Sequence, residues 1–218
     1  MSPSIKEDLQ ASGYCLMREF RAGDDSTSVA ADFGKTMTPW EGRNAQQLNP
    51  RAADTPNSYS GIYGMGSFPF HTDLAHWQEP PRYLMLRCIR GYAEVPTLLV
   101  DGRSLIRDAS INLLMRALVK PRRPKNGAVS LLRLYEATDR GNRIRWDEVF
   151  LQPVGKLGRL AVDRVRRCLA QIEAHSISLM QPGDTMFIDN WMMLHARSPI
   201  PAGCEGRKIE RVYLESLD

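Results

Sequence analysis

The last third of the chain leaves little freedom in how it can fold. Between residues 176 and 215 four extended segments follow one another: Ser176 to Met180, Thr185 to Trp191, Leu194 to Arg197 and Arg207 to Glu215. The first two are joined by Gln181-Pro182-Gly183-Asp184, whose adjacent proline and glycine set a reversal. Strands this short are stable only when paired and stacked on other structure. The rest of the chain must therefore supply partner strands and covering helices.

It does so in a broken rhythm. Residues 5–10 predict a short helix, Gly13 to Phe20 a strand, and Ser26 to Phe33 a helix that stops at Gly34. Arg82 to Ile89, after Pro80-Pro81, and Pro96 to Asp101 read as strands. Ile111, Leu114, Met115 and Leu118 recur at helical spacing, which predicts an amphipathic helix over 108–119. Val129 to Tyr135 and Arg143 to Phe150 look like strands about the turn-rich Asp139-Arg140-Gly141-Asn142. Leu160, Val162, Val165, Leu169 and Ile172 form a second helical stripe. Thr38 to Gly64 is rich in Asn, Pro, Gly and Ser with little periodicity, as in a functional loop or lid. With no internal repeat and no linker in 218 residues, residues 1–218 read as a single domain. The fold class is α+β, mainly β: a sandwich or jelly roll with supporting helices.

Composition removes several alternatives. No apolar run reaches the ~18 residues of a membrane span. Met1 to Asp8 carries acidic residues and no apolar core, so it is not a secretion signal, and a cytoplasmic location is expected. Cys15, Cys88, Cys168 and Cys204 form no C-x-x-C pair, which argues against structural zinc and against disulfides. A net charge of +4 and a pI near 9.0 admit an anionic substrate or nucleic acid but demand neither. The basic run Lys120 to Lys125 is most simply a solvated loop.

Chemistry concentrates in Phe68-Pro69-Phe70-His71-Thr72-Asp73. On an extended backbone His71 and Asp73 project to one face and Thr72 to the other. A second imidazole from another strand, with His195 as the candidate, would complete a 2-His-1-carboxylate set, the ligand set of non-haem Fe(II) oxygenases. Taken alone, His-x-Asp is equally a strand histidine bonded to its neighbours. Among the other candidates, His76 reads as a rim or surface residue and His175 as a helix-end histidine. Asn190 and Arg197 bracket His195 and could orient it. Trp77, Trp191, Phe68 and Phe70 read as packing, and Tyr63 and Ser67 as substrate contacts.

Two runs taken together go further. Phe70-His71-Thr72-Asp73-Leu74-Ala75-His76-Trp77-Gln78-Glu79-Pro80-Pro81 and Asp189-Asn190, with Leu194-His195-Ala196-Arg197, resemble the taurine-dioxygenase-like (TauD/TfdA) family of Fe(II)/2-oxoglutarate oxygenases. The likeness is greatest to its γ-butyrobetaine-hydroxylase-like branch and covers about residues 60–101 and 180–214. It implies a double-stranded β-helix with His71, Asp73 and His195 as iron ligands. It also implies O2 and 2-oxoglutarate as co-substrates. Thr97 matches the threonine that helps hold the distal carboxylate of 2-oxoglutarate, although Glu94-Val95-Pro96-Thr97 stands where the family has Gly-Gly-x-Thr. Arg207 falls where the family pairs an arginine with that carboxylate. A buried dianion wants a bidentate guanidinium there. Arg211 would meet the metal-proximal carboxylate or an anionic group of the substrate.

The resemblance implies oxidative decarboxylation to succinate and CO2 with hydroxylation of an unactivated C–H. The carboxylate ligand argues against halogenation. The expected partner is an anionic or zwitterionic small molecule, an amino acid or related carboxylate, with no membrane partner. The shortness of the chain fits a minimal lid or a homo-oligomer. Two rivals stand beside this reading: a cupin-like isomerase or hydrolase without redox chemistry, and a basic nucleic-acid-binding protein. The second is weakened because the basic stretches lack interleaved aromatics.

Overall fold

The computed structural model describes residues 5–39, 44–50, 59–123 and 128–218. The elements in chain order are α1 (Ile5–Ser12), β1 (Tyr14–Met17), α2 (Ser26–Ala31), β2 (Gly34–Met37), β3 (Ala45–Leu48), α3 (Tyr59–Tyr63) and β4 (Phe68–His71). There follow β5 (Tyr83–Arg90), β6 (Thr97–Asp101), α4 (Gly102–Ala109), α5 (Ile111–Arg116), β7 (Leu118–Pro121), β8 (Leu132–Arg133), β9 (Tyr135–Thr138) and β10 (Gly141–Ile144). The chain closes with β11 (Leu151–Val154), α6 (Gly155–Leu169), β12 (His175–Ile177), β13 (Thr185–Asp189), β14 (Met193–Arg197) and β15 (Lys208–Leu217).

Two antiparallel sheets make the frame. The larger runs β1-β13-β5-β15-β2 with β3 also on β15, and the smaller runs β12-β6-β14-β4. Their facing sides enclose Leu84, Leu86, Leu99, Ile177, Met186, Ile188, Met193 and Ile209. The outer face of the larger sheet is covered by α1 and α2 through Leu9, Val29 and Ala30 on Met85, Phe187 and Val212. On the outer face of the smaller sheet, α4, α5 and α6 pack Leu105, Leu114, Ala161 and Val165 against Val100 and Leu194. Strand β13 is buried along its whole length because helices cover one face and the opposing sheet the other. Among the described residues, no helix is long and apolar enough to cross a membrane.

The mainly-β jelly-roll expectation holds, with local corrections. The predicted helix over 108–119 is instead α4 and α5, and 118–121 is strand. Asp101 caps α4 by accepting from the Arg103 N–H at 2.8 Å, so the helix begins earlier, and Ser110 at φ 79° breaks it. Within 38–64, β3 and α3 are ordered elements; β3 is recruited by β15, through Arg211 opposite Gln46. The rest of that lid expectation, 40–43 and 51–58, lies outside the described residues, as do 124 and 125 of the basic loop. Lys120 and Pro121 belong to β7, paired with β11. The strands expected over 129–135 and 143–150 divide into β8, β9 and β10, with β9 and β10 forming a hairpin about Asp139 and Arg140. His175 does not end a helix; it opens β12 opposite Leu99, because α6 stops at Leu169.

Candidate metal centre

His71 ends β4 and His195 lies on β14, directly opposite it in register. Their rings are 4.3 Å apart. Thr72 turns away: its N–H donates to the Trp146 carbonyl at 2.8 Å and its hydroxyl accepts from the Trp146 N–H at 3.2 Å. Asp73 therefore comes back to the histidine side. Its carboxylate is 3.5 Å from His71 Nε2 and 3.7 Å from His195 Nε2. The three ligating atoms lie within 4.8 Å of one another and all three residues are buried.

The donor set fits a divalent ion. His71 Nδ1 lies 3.0 Å from the Pro69 carbonyl, a contact that orients the ring with Nε2 toward Asp73. Burial, then the neighbouring His71 and Arg211, lower the His195 imidazole to about 3 against the upward pull of Asp73. His195 is thus neutral, as a ligand must be. Burial alone would raise the Asp73 carboxyl. Arg211, His71 and His195 outweigh it and hold the group far below the usual carboxylate range. Two imidazoles and one carboxylate, with no thiolate, suit Fe(II) or a similar ion better than structural zinc.

Around this cluster the cations are unevenly matched. Arg211 Nη1 donates to both Asp73 oxygens at 2.7 Å, and its Nη2 donates to Gln46 Oε1. Arg207, just before β15, is only 6% exposed and pairs with no carboxylate among the described residues. Burial, then the nearby Arg197, lower it to about 10. Thr97 is buried on β6 opposite Arg197 of β14. Arg197 Nη2 donates to the Gly64 and Gly66 carbonyls at 2.9 and 2.6 Å.

The structure thus brings His71, Asp73, His195 and Arg211 together, buries Thr97, and leaves Arg207 with no carboxylate partner among the described residues. It corrects the orienting role expected of Asn190 and Arg197. Neither bonds to the His195 ring, whose buried Nδ1 has no hydrogen-bond partner among the described residues. Asn190 binds the Asp73 peptide, and Arg197 binds the 64–66 turn. Trp191 is core, whereas Trp77 is half-buried; Phe70 packs on the helical core, but Phe68 stacks on His71 at 4.7 Å. Tyr63 leans on Phe68 at 5.5 Å, Ser67 is exposed, and His76 contacts Phe150 at 5.5 Å. Two residues escaped the sequence reading. Tyr213, buried under the Arg211 guanidinium at 4.8 Å, is raised well above 10 by burial and the nearby Asp73; its position two after Arg211 on one strand was the available signal. Gln46 gave no local signal at all.

Two facing sheets of jelly-roll type, with two histidines and a carboxylate converging at one end, mark a class of folds that can hold a single divalent ion. A family model described as "Taurine catabolism dioxygenase TauD, TfdA family" matches residues 2–114 and 131–213, and the chain belongs to that family. It is 24% identical over 162 residues to clavaminate synthase 2 of Streptomyces clavuligerus, covering 67% of this chain and 49% of that protein. The chain therefore spans about half the length of that relative. Among solved structures, asparagine oxygenase with Fe(II), 3-hydroxyasparagine and succinate is similar at TM-score 0.72 and 16% identity, covering 96% of this chain and 76% of that one. PvcB of Pseudomonas aeruginosa is similar at TM-score 0.70 and 20% identity, covering 98% and 80%. The oxygenase OrfP with Fe and α-ketoglutaric acid gives 0.68 and 20%, covering 97% and 79%. The γ-butyrobetaine-hydroxylase-like branch is a finer placement than these relatives reach.

Proposed function

We propose that this chain is an Fe(II)- and 2-oxoglutarate-dependent dioxygenase that hydroxylates an unactivated C–H of a small amino acid or related carboxylate. Residues 1–218 act as one domain in this reading. The observation that carries it is Arg207: a buried guanidinium with no carboxylate partner among the described residues, in a family fold whose His71, Asp73 and His195 converge on one point. A non-redox jelly-roll metalloprotein would have no need of that cation.

In this reading His71, Asp73 and His195 hold the iron. Iron held there would, with 2-oxoglutarate and O2 as co-substrates, supply the oxidising power for the hydroxylation, with succinate and CO2 as co-products. Arg207, helped by the Thr97 hydroxyl, takes the distal carboxylate of 2-oxoglutarate in charge-assisted hydrogen bonds. Arg211 balances Asp73 and offers its guanidinium to a carboxylate of the substrate or of 2-oxoglutarate. The Arg211 cation beside the three candidate ligands favours a substrate that carries a carboxylate, as an amino acid does. Asparagine oxygenase and OrfP, with their hydroxyasparagine and hydroxyarginine complexes, point the same way.

The test is anaerobic addition of Fe(II) and 2-oxoglutarate to the purified protein. The weak visible charge-transfer band of the chelate should form with the wild type and be lost in Asp73→Ala. No band in the wild type, or equal intensity in Asp73→Ala, refutes the assignment. A succinate-release screen over amino acids then identifies the substrate.

A further inference from the structure

We propose that Asn190 is a positioning residue for the carboxylate of the metal centre. The proposal rests on the reading of His71, Asp73 and His195 as ligands of a divalent ion. Asn190 lies between β13 and β14, five residues before His195, and is fully buried. Its side-chain amide grips the peptide of Asp73 from both sides. The Asp73 N–H donates to Asn190 Oδ1 at 2.6 Å, and Asn190 Nδ2 donates to the Asp73 carbonyl at 3.0 Å. The same Nδ2 donates to the Pro81 carbonyl at 2.8 Å, and the Asn190 N–H donates to the Arg82 carbonyl at 2.7 Å. One side chain thus ties the carboxylate residue to the connection that crosses from β13 in one sheet to β14, the strand of the second histidine, in the other, and closes the loop 73–81 at both ends.

That loop needs holding. It has no regular structure, and Leu74, directly after the carboxylate, sits at φ 55°, a left-handed conformation that leucine rarely adopts unsupported. The middle of the loop is fixed from elsewhere. Arg145 donates to the Ala75, Trp77 and Gln78 carbonyls, and Trp191 Nε1 donates to the Pro80 carbonyl at 3.0 Å. Only Asn190 touches the ligand residue itself among these. The carboxylate is under a competing pull, because Arg211 Nη1 contacts both of its oxygens at 2.7 Å. With its peptide fixed by Asn190, Asp73 stays between the two imidazoles and does not follow Arg211. The ligand geometry is then in place before any ion arrives, which raises affinity by removing an ordering cost.

The proposal separates a positioning role from a merely structural one through metal affinity. Metal-free full-length protein is titrated with Co(II), followed by its visible d–d absorption, alongside thermal melts of each metal-free variant. Asn190→Ala should bind Co(II) about 10- to 100-fold more weakly than the wild type, the range for lost outer contacts of metal ligands. Asn190→Asp, which keeps an acceptor for the Asp73 N–H but no amide donor, should fall between and shift the d–d band. Trp191→Phe removes a bond to the same loop without touching Asp73, so it should lower the melting temperature and keep wild-type affinity. Wild-type affinity in Asn190→Ala, or an equal loss in Trp191→Phe, overturns the proposal while leaving the metal centre standing. If Asn190→Ala does not fold, the comparison of Asn190→Asp with Trp191→Phe decides in the same way. A wild type that takes up no Co(II) overturns both this proposal and the metal-centre reading beneath it.

Discussion

Burying a guanidinium is costly, and Arg207, with no carboxylate partner among the described residues, carries that cost. A bound anion, as the proposed function has it, would offset that cost. Two effects should therefore separate in Arg207→Met. The protein without ligands should be as stable as wild type or gain about 1–4 kcal/mol, as when buried charges give way to apolar groups. Stabilisation by 2-oxoglutarate, about 2.7 kcal/mol in the wild type at a hundredfold excess over Kd, should vanish. Anaerobic thermal melts with Fe(II), with and without 2-oxoglutarate, read both. A destabilised variant that still responds to 2-oxoglutarate would make Arg207 a structural residue.

At the scale of elements, the reversal before β13 is held by one carboxylate. Asp184 accepts from the Met180, Gln181 and Glu19 N–H groups at 2.9, 3.2 and 3.1 Å and from Arg18 at 2.7 Å. Gly183 stands at φ 87°, and a Cβ there would meet Ala22 Cα at 2.7 Å, so only glycine fits the turn. Burial alone would raise the Asp184 carboxyl, but the three N–H donors and Arg18 outweigh it and set it below its ordinary value. A depressed carboxyl stabilises the fold fully above its unfolded pKa of about 3.9 and loses that contribution as pH falls through the folded value. Arg18 is half exposed, so most of the effect belongs to the backbone donors. Asp184→Asn should cost about 1–3 kcal/mol at pH 7, and the gap to wild type should close as pH falls below about 4. Urea unfolding at both pH values measures this; a gap that persists in acid would rule out the carboxylate as its source.

Across the whole molecule, the centre depends on two sheets sharing one interior. Leu99, fully buried between them, is directly opposite His195 on β14. Leu99→Ala should lower the unfolding free energy by about 2–5 kcal/mol in denaturant titrations. An unchanged midpoint would mean that the sheets do not rely on this shared core. The same architecture explains why helices lie on both outer faces: each sheet has a second apolar face that must be covered.

Much of this was legible in the residues themselves. The turn at Gln181 to Asp184, the extended segments around it and the stripe of α6 are local signals, set by backbone stereochemistry and side-chain periodicity. The alternation of His71, Thr72 and Asp73 was equally local, and it returned the two ligands to one side. The motif order around His71 and His195 carried the family. Tertiary structure alone decided the rest, because contacts between distant residues leave no period in a sequence. It broke the expected helix over 108–119 at Ser110, where φ is 79°, and ended it before β7, which pairs with β11. It recruited β3 from an irregular stretch to bring Gln46 to Arg211. It also moved Asn190 from the neighbourhood of His195 to the peptide of Asp73, 117 residues away in the chain. His195 faces His71 only because β4 and β14 pair in register, a relation fixed by the packing of two sheets and by neither segment alone.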